Sequence, residues 1–257
     1  MSTKFISNDV LRELLDQATD DELLSLTKIL NEYQKKPYTP KRIQEELANA
    51  GGNSLMNLYR GEGTGYIDIT DDVLDKLGIR GFPSYAFEVR HYDEKDALQY
   101  HESEARQKGI EYVEQAEEAI ILKLLEQAYE KMSDEDKVSF DAQMNHVAAM
   151  FDSNTGKNLS GAAGLMVLGN MGGFATYTFL TTAMSAITMG TLGFGAYTAA
   201  TSLLSIVLGP IGWAGLGIFA AYSIGGENYK KTIPCVAIIG AIRQRIKYEN
   251  RNMEEKK

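Results

Sequence analysis

Residues 229–246 read YKKTIPCVAIIGAIRQRI. An apolar run passes directly into a basic one, and the spacing predicts a helix over roughly Ile233–Tyr248. Ile238, Ile239, Ile242 and Ile246 fall on one side of it, Arg243 and Lys247 on another. The single cysteine, Cys235, sits among Ile, Pro, Val and Ala. It reads as a buried structural thiol rather than a nucleophile, and with no second cysteine there is no intrachain disulfide.

Upstream of this helix the chain loses its charge altogether. From Asn158 to Gly226 there is no Asp, Glu, Lys, Arg or His, while glycine occurs 14 times and serine or threonine 13 times. The block divides into halves near Leu159–Met189 and Leu192–Ile224, joined by GTLG. Each half exceeds the ~20 helical residues that cross a hydrocarbon layer of ~30 Å. Summed apparent insertion energies give roughly −3 to −6 kcal/mol for the apolar residues of Leu203–Ile224, and roughly −2 to −4 kcal/mol for Leu165–Ile187. Glycines, Pro210 and Asn170 oppose insertion, so both halves are marginal inserters. The spacing Gly169-x-x-x-Gly173 suits close helix approach. A helical hairpin buried in the core of a soluble bundle accounts for the missing charge as well.

The rest of the chain is ordinary in composition. Of 257 residues, 24% are charged and 44% apolar, and the mean hydropathy is slightly negative. This excludes a polytopic membrane protein, and the net charge of −9 speaks against a general nucleic-acid binder. Charge is polarised: residues 1–157 carry 18 basic and 31 acidic side chains, residues 227–257 carry 8 and 4. The N-terminus, MSTKFISNDVLRELL, lacks the apolar core of a signal peptide, so a cytoplasmic protein is expected.

Helix boundaries are legible in the first half. Ser7 or Asn8 can cap a helix bearing Leu11, Leu14 and Leu15. Thr19 with Glu22 forms a capping box ahead of Leu23, Leu24, Leu26, Ile29 and Leu30. Thr39, Pro40 and Gly51 mark cap, first turn and stop of the next helix. Thr70 is expected to cap DDVLDKLG, with Gly78 as its stop. Val113, Ala116, Ile120, Ile121, Leu124, Leu125 and Ala128 predict a helix from about Ile110 to Met132. Ser133 with Asp136 caps another, and residues 78–105 read as a loop with a short strand.

Chemistry-bearing motifs are weak. RGEGTGYIDIT, residues 60–70, offers Arg60, Gly61, Gly63 and Gly65, but the spacing is G-x-G-x-G and a helical pattern precedes it where a phosphate loop needs a strand. A turn between helices is the plainer reading. Asp68, Asp71 and Asp72 suit a helix start better than a metal. His91, His101 and His146 have no partner at metal-ligand spacing, and no G-x-S-x-G elbow is present. No enzyme, cofactor or metal is expected.

Four stretches, SNDVLRELLDQATDDELLSLTKIL, GGNSLMNLYRGEGTGYIDITDDVLDKLG, AYEKMSDEDKVSF, and GPIGW with YKKTIPCVAIIGAIRQRI, resemble the YaaW-like family of uncharacterised bacterial proteins. Members have been grouped with a ubiquinol–cytochrome c chaperone domain. The resemblance implies a compact bacterial domain, without an activity or site residues to carry over.

The expectation is a mainly α protein: a helical bundle with a glycine-rich hydrophobic hairpin near the C-terminus. Its segments are 1–66, N-terminal helices; 67–157, an acidic amphipathic body; 158–226, the hairpin; and 227–257, a basic helix and tail. The expected function is non-enzymatic, as a membrane-interacting protein that perturbs or permeabilises the inner membrane from the cytoplasmic side, in stress response or phage defence. Pore-forming colicins offer the architectural analogy. The hairpin residues expected to meet the membrane are Leu165, Leu168, Gly169, Gly173, Phe179, Leu180, Leu203, Leu204, Ile206, Leu208, Pro210, Gly212, Trp213, Ile218 and Phe219. Lys230, Lys231, Arg243, Arg245 and Lys247 would face anionic lipid. Homo-oligomers packed through glycine faces, or a protein partner, are expected; nucleic acid is not. The alternative is a soluble chaperone or adaptor with the hairpin as its core or client-binding surface.

Overall fold

The computed structural model describes residues 10–51, 64–81, 100–131 and 229–254, with helical positions among 134–145. The protein is mainly α, and no strand occurs among the described residues. Helix α1 covers residues 10–15. It is followed by α2 (Asp20–Leu30), α3 (Pro40–Gly51), α4 (Tyr66–Lys76), α5 (Tyr100–Lys131) and α6 (Tyr229–Glu254). The hairpin segment 158–226, with every hairpin residue named above, lies outside the described residues, as do Ser7, Asn8, Ser133 and Asp136.

The early helices begin where their side chains dictate. Glu22 N–H donates to Thr19 Oγ1 at 3.3 Å, and Thr19 N–H donates back to Glu22 Oε2 at 2.8 Å, so the α2 capping box is complete. Arg42 N–H donates to Thr39 Oγ1 at 3.3 Å in front of α3. Gly51, expected as a stop, closes α3 for a different reason: a Cβ there would lie 2.4 Å from Ile69 Cγ1, so its bareness lets α3 and α4 touch. Gly78 does serve as a stop. It takes φ +70, with Ile79 N–H donating to Leu74 O at 3.0 Å and Gly78 N–H to Asp75 O at 3.1 Å, the two bonds of a Schellman ending.

Four expected boundaries move. α4 starts at Tyr66 with Gly65 as its N-cap, not after Thr70. Thr70 lies inside the helix, where its hydroxyl donates to Tyr66 O at 2.9 Å. α5 starts at Tyr100, so the end of the segment read as loop is helical. α6 runs from Tyr229 to Glu254, past both expected ends, and carries Pro234 within it.

α6 is the axis of the bundle. It packs against α2, α3, α4 and α5, while α2 packs on α3 and α4 on both α3 and α5. From Thr232 to Ile246 every residue is buried. A helix this enclosed must be apolar nearly all round. Ile233, Val236, Ile239 and Ile242 are fully covered, as is Cys235, whose thiol is pushed up by burial. One hydrophobic cluster runs from Val10 on α1 to Ile246, with Leu26, Ile43, Ile69 and Ile120 from the intervening helices.

α5 and α6 run antiparallel. Lys247 meets Glu114, Arg243 meets Glu117, and Gly240 lies against Ile121 as well as Glu117. The chain therefore leaves α5 after Lys131 and re-enters α6 at Tyr229 at the same end of the pair. Gly240 sets their closeness: a Cβ there would stand 2.9 Å from Glu117 Cβ and 3.1 Å from Ile121 Cδ1.

Gly240→Ala tests that contact against helix propensity. Alanine favours an isolated helix by about 1 kcal/mol, whereas overpacking a core costs about 1–3 kcal/mol. Urea denaturation is expected to show a net loss, because the nearest obstacle is the β-carbon of a glutamate pinned on both sides.

Candidate functional site

The distinctive chemistry of the bundle lies inside it. Arg243 Nε donates to Glu117 Oε2 at 2.7 Å and its Nη2 to Glu117 Oε1 at 3.0 Å, a bidentate pair. Tyr66 Oη donates to Glu117 Oε1 at 2.7 Å. Three elements, α4, α5 and α6, thus meet at one carboxylate. Glu117 and Tyr66 are each 1% exposed, and Arg243 is 5% exposed. Burial alone would lower the Arg243 guanidinium, but the Glu117 charge and hydrogen bonds raise it, so Arg243 stays charged. The Tyr66 phenol is pushed well above its ordinary value by burial and by the Glu117 charge.

A second buried pair lies on another side of α6. Arg245 Nε donates to Glu22 Oε1 at 2.7 Å and Nη2 to Glu22 Oε2 at 2.9 Å; Nη2 also donates to Gln17 O at 2.9 Å and Nη1 to Glu249 Oε2 at 2.7 Å. Glu22 is thereby shared between the α2 cap and the far end of the chain. Sequence reading identified the cap and missed the arginine, because nothing in the local pattern links positions 223 apart.

Of the five basic residues expected to face lipid, Arg243 and Arg245 are turned into the bundle and neutralised there. A buried, paired guanidinium is not available to a lipid headgroup, so in this packed state the basic surface of α6 does not include them. Lys247 pairs with Glu114 at 2.8 Å and keeps nearly half of its side chain exposed. Lys230 is exposed and Lys231 half-buried.

Further along the α5–α6 seam, Gln244 Nε2 donates to Glu118 Oε1 at 2.7 Å. Burial pushes the Glu118 carboxyl above its ordinary value, against the opposing pull of Lys247. Gln244 Oε1 and Thr232 Oγ1 are buried without a hydrogen-bond partner. On α4, Asp71 accepts from the Tyr112 hydroxyl of α5. Burial pushes Asp71 up to about 6, with Asp68 and Asp75 adding to the shift and the tyrosine bond opposing it. Because α4 starts at Tyr66, Asp68 is its first-turn acid; Asp71 and Asp72 lie deeper.

The RGEGTGY string yields no cradle among the described residues. Arg60, Gly61 and Gly63 lie outside them, and Gly65 is an extended N-cap with φ −68 and ψ 155. No group of three or more His, Cys, Asp or Glu is placed to hold a metal among the described residues. His91 and His146 lie outside them.

No family model matches the chain, and no solved structure matches it. It is similar to UPF0174 proteins of Helicobacter pylori. One from strain J99 is 28% identical over 241 residues, covering 90% of this chain and all of that protein. A second from the same strain is 29% identical over 227 residues, covering 84% of this chain and 74% of its own length. One from strain 26695 is 26% identical over 215 residues, covering 81% and 89%.

Removing one member of the buried pair should be far worse than removing both. Glu117→Ala strands a buried guanidinium and is expected to cost about 3–5 kcal/mol in chemical denaturation. Glu117→Leu combined with Arg243→Met should recover most of that loss. Asp71 carries a pH signature. Its folded value is raised, so its contribution to stability is complete below the ordinary carboxylate range and is lost as pH rises through about 6. Asp71→Asn should flatten the stability profile between about pH 4 and 6 and leave the chain no less stable at pH 7.

Proposed function

We propose that the chain is a non-enzymatic, membrane-interacting protein. Its helical bundle holds the uncharged segment 158–226 and delivers it as a hairpin to the cytoplasmic face of the inner membrane. Copies packed through Gly169, Gly173 and Gly212 then perturb the bilayer. The observation that carries this reading is the antiparallel seam of α5 and α6. The bundle closes on its own core, and the chain departs and returns at one end of it. A hairpin inserted from one side needs this arrangement, because both of its ends stay on the side it entered from. Exposed Lys230, one residue inside the return point at Tyr229, suits an anionic surface there. Phage defence or stress response is the setting such an effector fits. The finer resemblance to YaaW-like proteins belongs with this reading and adds no activity to it.

A second reading has its own support. No helix among the described residues is long and apolar enough to cross a membrane, and Arg243 and Arg245 face the core. A chaperone or adaptor that keeps the segment packed against protein would satisfy both facts.

Leu208→Lys separates the two. Exchanging leucine for lysine at the centre of a span costs about 3 kcal/mol of insertion. The membrane reading expects the full chain to co-float with anionic liposomes and release a trapped dye, and the variant to lose both with the helical circular dichroism of the bundle intact. Wild-type protein that neither floats nor causes leakage at any pH would sink it. A variant that instead unfolds in solution would favour the chaperone reading.

A further inference from the structure

The seam between α5 and α6 contains one incomplete contact. Gln244 is 2% exposed. Its Nε2 donates to Glu118 Oε1 at 2.7 Å, while its own Oε1 is buried and meets no donor. Buried acceptors are nearly always satisfied, so such an orphan calls for an explanation. An ionised carboxylate only accepts, whereas a carboxylic acid also has one O–H to give. The neutral acid is therefore the form of Glu118 that can complete both halves of a primary amide. The amide N–H donates to one acid oxygen, and the acid O–H donates to the amide oxygen.

We propose that Glu118 and Gln244 form a proton-operated latch: uptake of one proton by the Glu118 carboxyl closes a two-bond acid–amide pair that fastens α6 to α5. The charged surroundings fit. On α5, Glu114 and Glu117 flank Glu118; across the seam stands Lys247 of α6. Glu114 holds Lys247 at 2.8 Å, and Glu117 is taken by Arg243 and Tyr66. Each neighbouring acid thus has a partner of its own, and the hydrogen-bonded partner of Glu118 is neutral. Burial is the largest influence on Glu118 and raises its carboxyl.

The direction of the switch follows from linkage. A carboxyl raised in the folded chain stabilises it most below the ordinary carboxylate range, and that stabilisation is lost as pH rises through the folded value. Asp71, at the α4–α5 contact, has the same sign. Mild acid tightens the bundle and rising pH loosens it. The loosening is confined to the α5–α6 pair, at the end of the seam away from Lys131 and Tyr229. An acid-triggered release would need the opposite sign.

The test uses the full chain in solution, without membrane. Glu118→Gln supplies an amide–amide pair with both bonds at every pH. Hydrogen-exchange protection factors of the Ile242–Ile246 amides are expected to fall severalfold in the wild type between pH 5 and pH 7.5. In E118Q they should hold their acid-side values at pH 7.5. Asp71 contributes equally to both proteins and cancels in the comparison. The Glu118 carboxyl carbon should titrate above its value in the urea-unfolded chain. Protection in E118Q equal to or below that of the wild type at pH 7.5 would overturn the latch, as would a Glu118 midpoint at or below the unfolded one. Failure of the membrane reading appears in the liposome measurements and leaves these readouts unmoved.

Discussion

Two ionised guanidiniums inside the bundle constrain everything around them. Arg243 and Arg245 are nearly excluded from water, and a charge so placed is tolerable only with a partner and a full set of hydrogen bonds. Glu117 and Glu22 supply the partners from α5 and α2. Since each pair is bidentate, it fixes direction as well as distance. α6 is thereby locked in rotation and in axial position against two helices at once. Hydrophobic burial along Ile233–Ile246 provides the driving force, but a greasy helix can slide or rotate at modest cost. The buried charges are what make one register much better than its neighbours.

Glu22 and Glu117 show how a few side chains serve several levels of structure. Glu22 completes the α2 capping box and receives Arg245. Glu117 receives both Arg243 and the Tyr66 hydroxyl, tying α4 into the same point. The closeness that permits this comes from Gly240, opposite the stem of Glu117. Along the same seam the strength of contact varies: the Glu117 pair is saturated, whereas the Glu118–Gln244 contact lacks one donor. Stability and responsiveness to pH thus sit one residue apart on α5, on a helix pair that also brackets the uncharged part of the chain.

Much of the helical framework was legible in the sequence because its signals are local. Thr19 and Glu22 are three residues apart, Gly78 closely follows the last turn of α4, and Leu11, Leu26, Ile120 and Leu124 are all buried, as their helical spacing predicts. Boundaries failed where the signal was ambiguous. Thr70 resembles a cap in isolation, yet Tyr66 and Ile67 are buried in the shared core and draw the helix one turn earlier. Gly51, by contrast, ends α3 where the sequence predicts, and contact with Ile69 gives a second reason for a glycine there.

The sequence by itself determined the α class, the caps at Thr19 and Thr39, the apolar faces, the buried thiol of Cys235 and the lack of charge from Asn158 to Gly226. Only the tertiary structure decided where the basic residues of α6 point. Residues two apart on a helix project about 200° from each other, so Arg243 and Arg245 cannot share one lipid-facing surface. That spacing, between isoleucines, was the available clue. Their acids lie 126 and 223 positions away in the chain. No local rule reaches that far; packing brings the charges together, and burial makes the pairing compulsory.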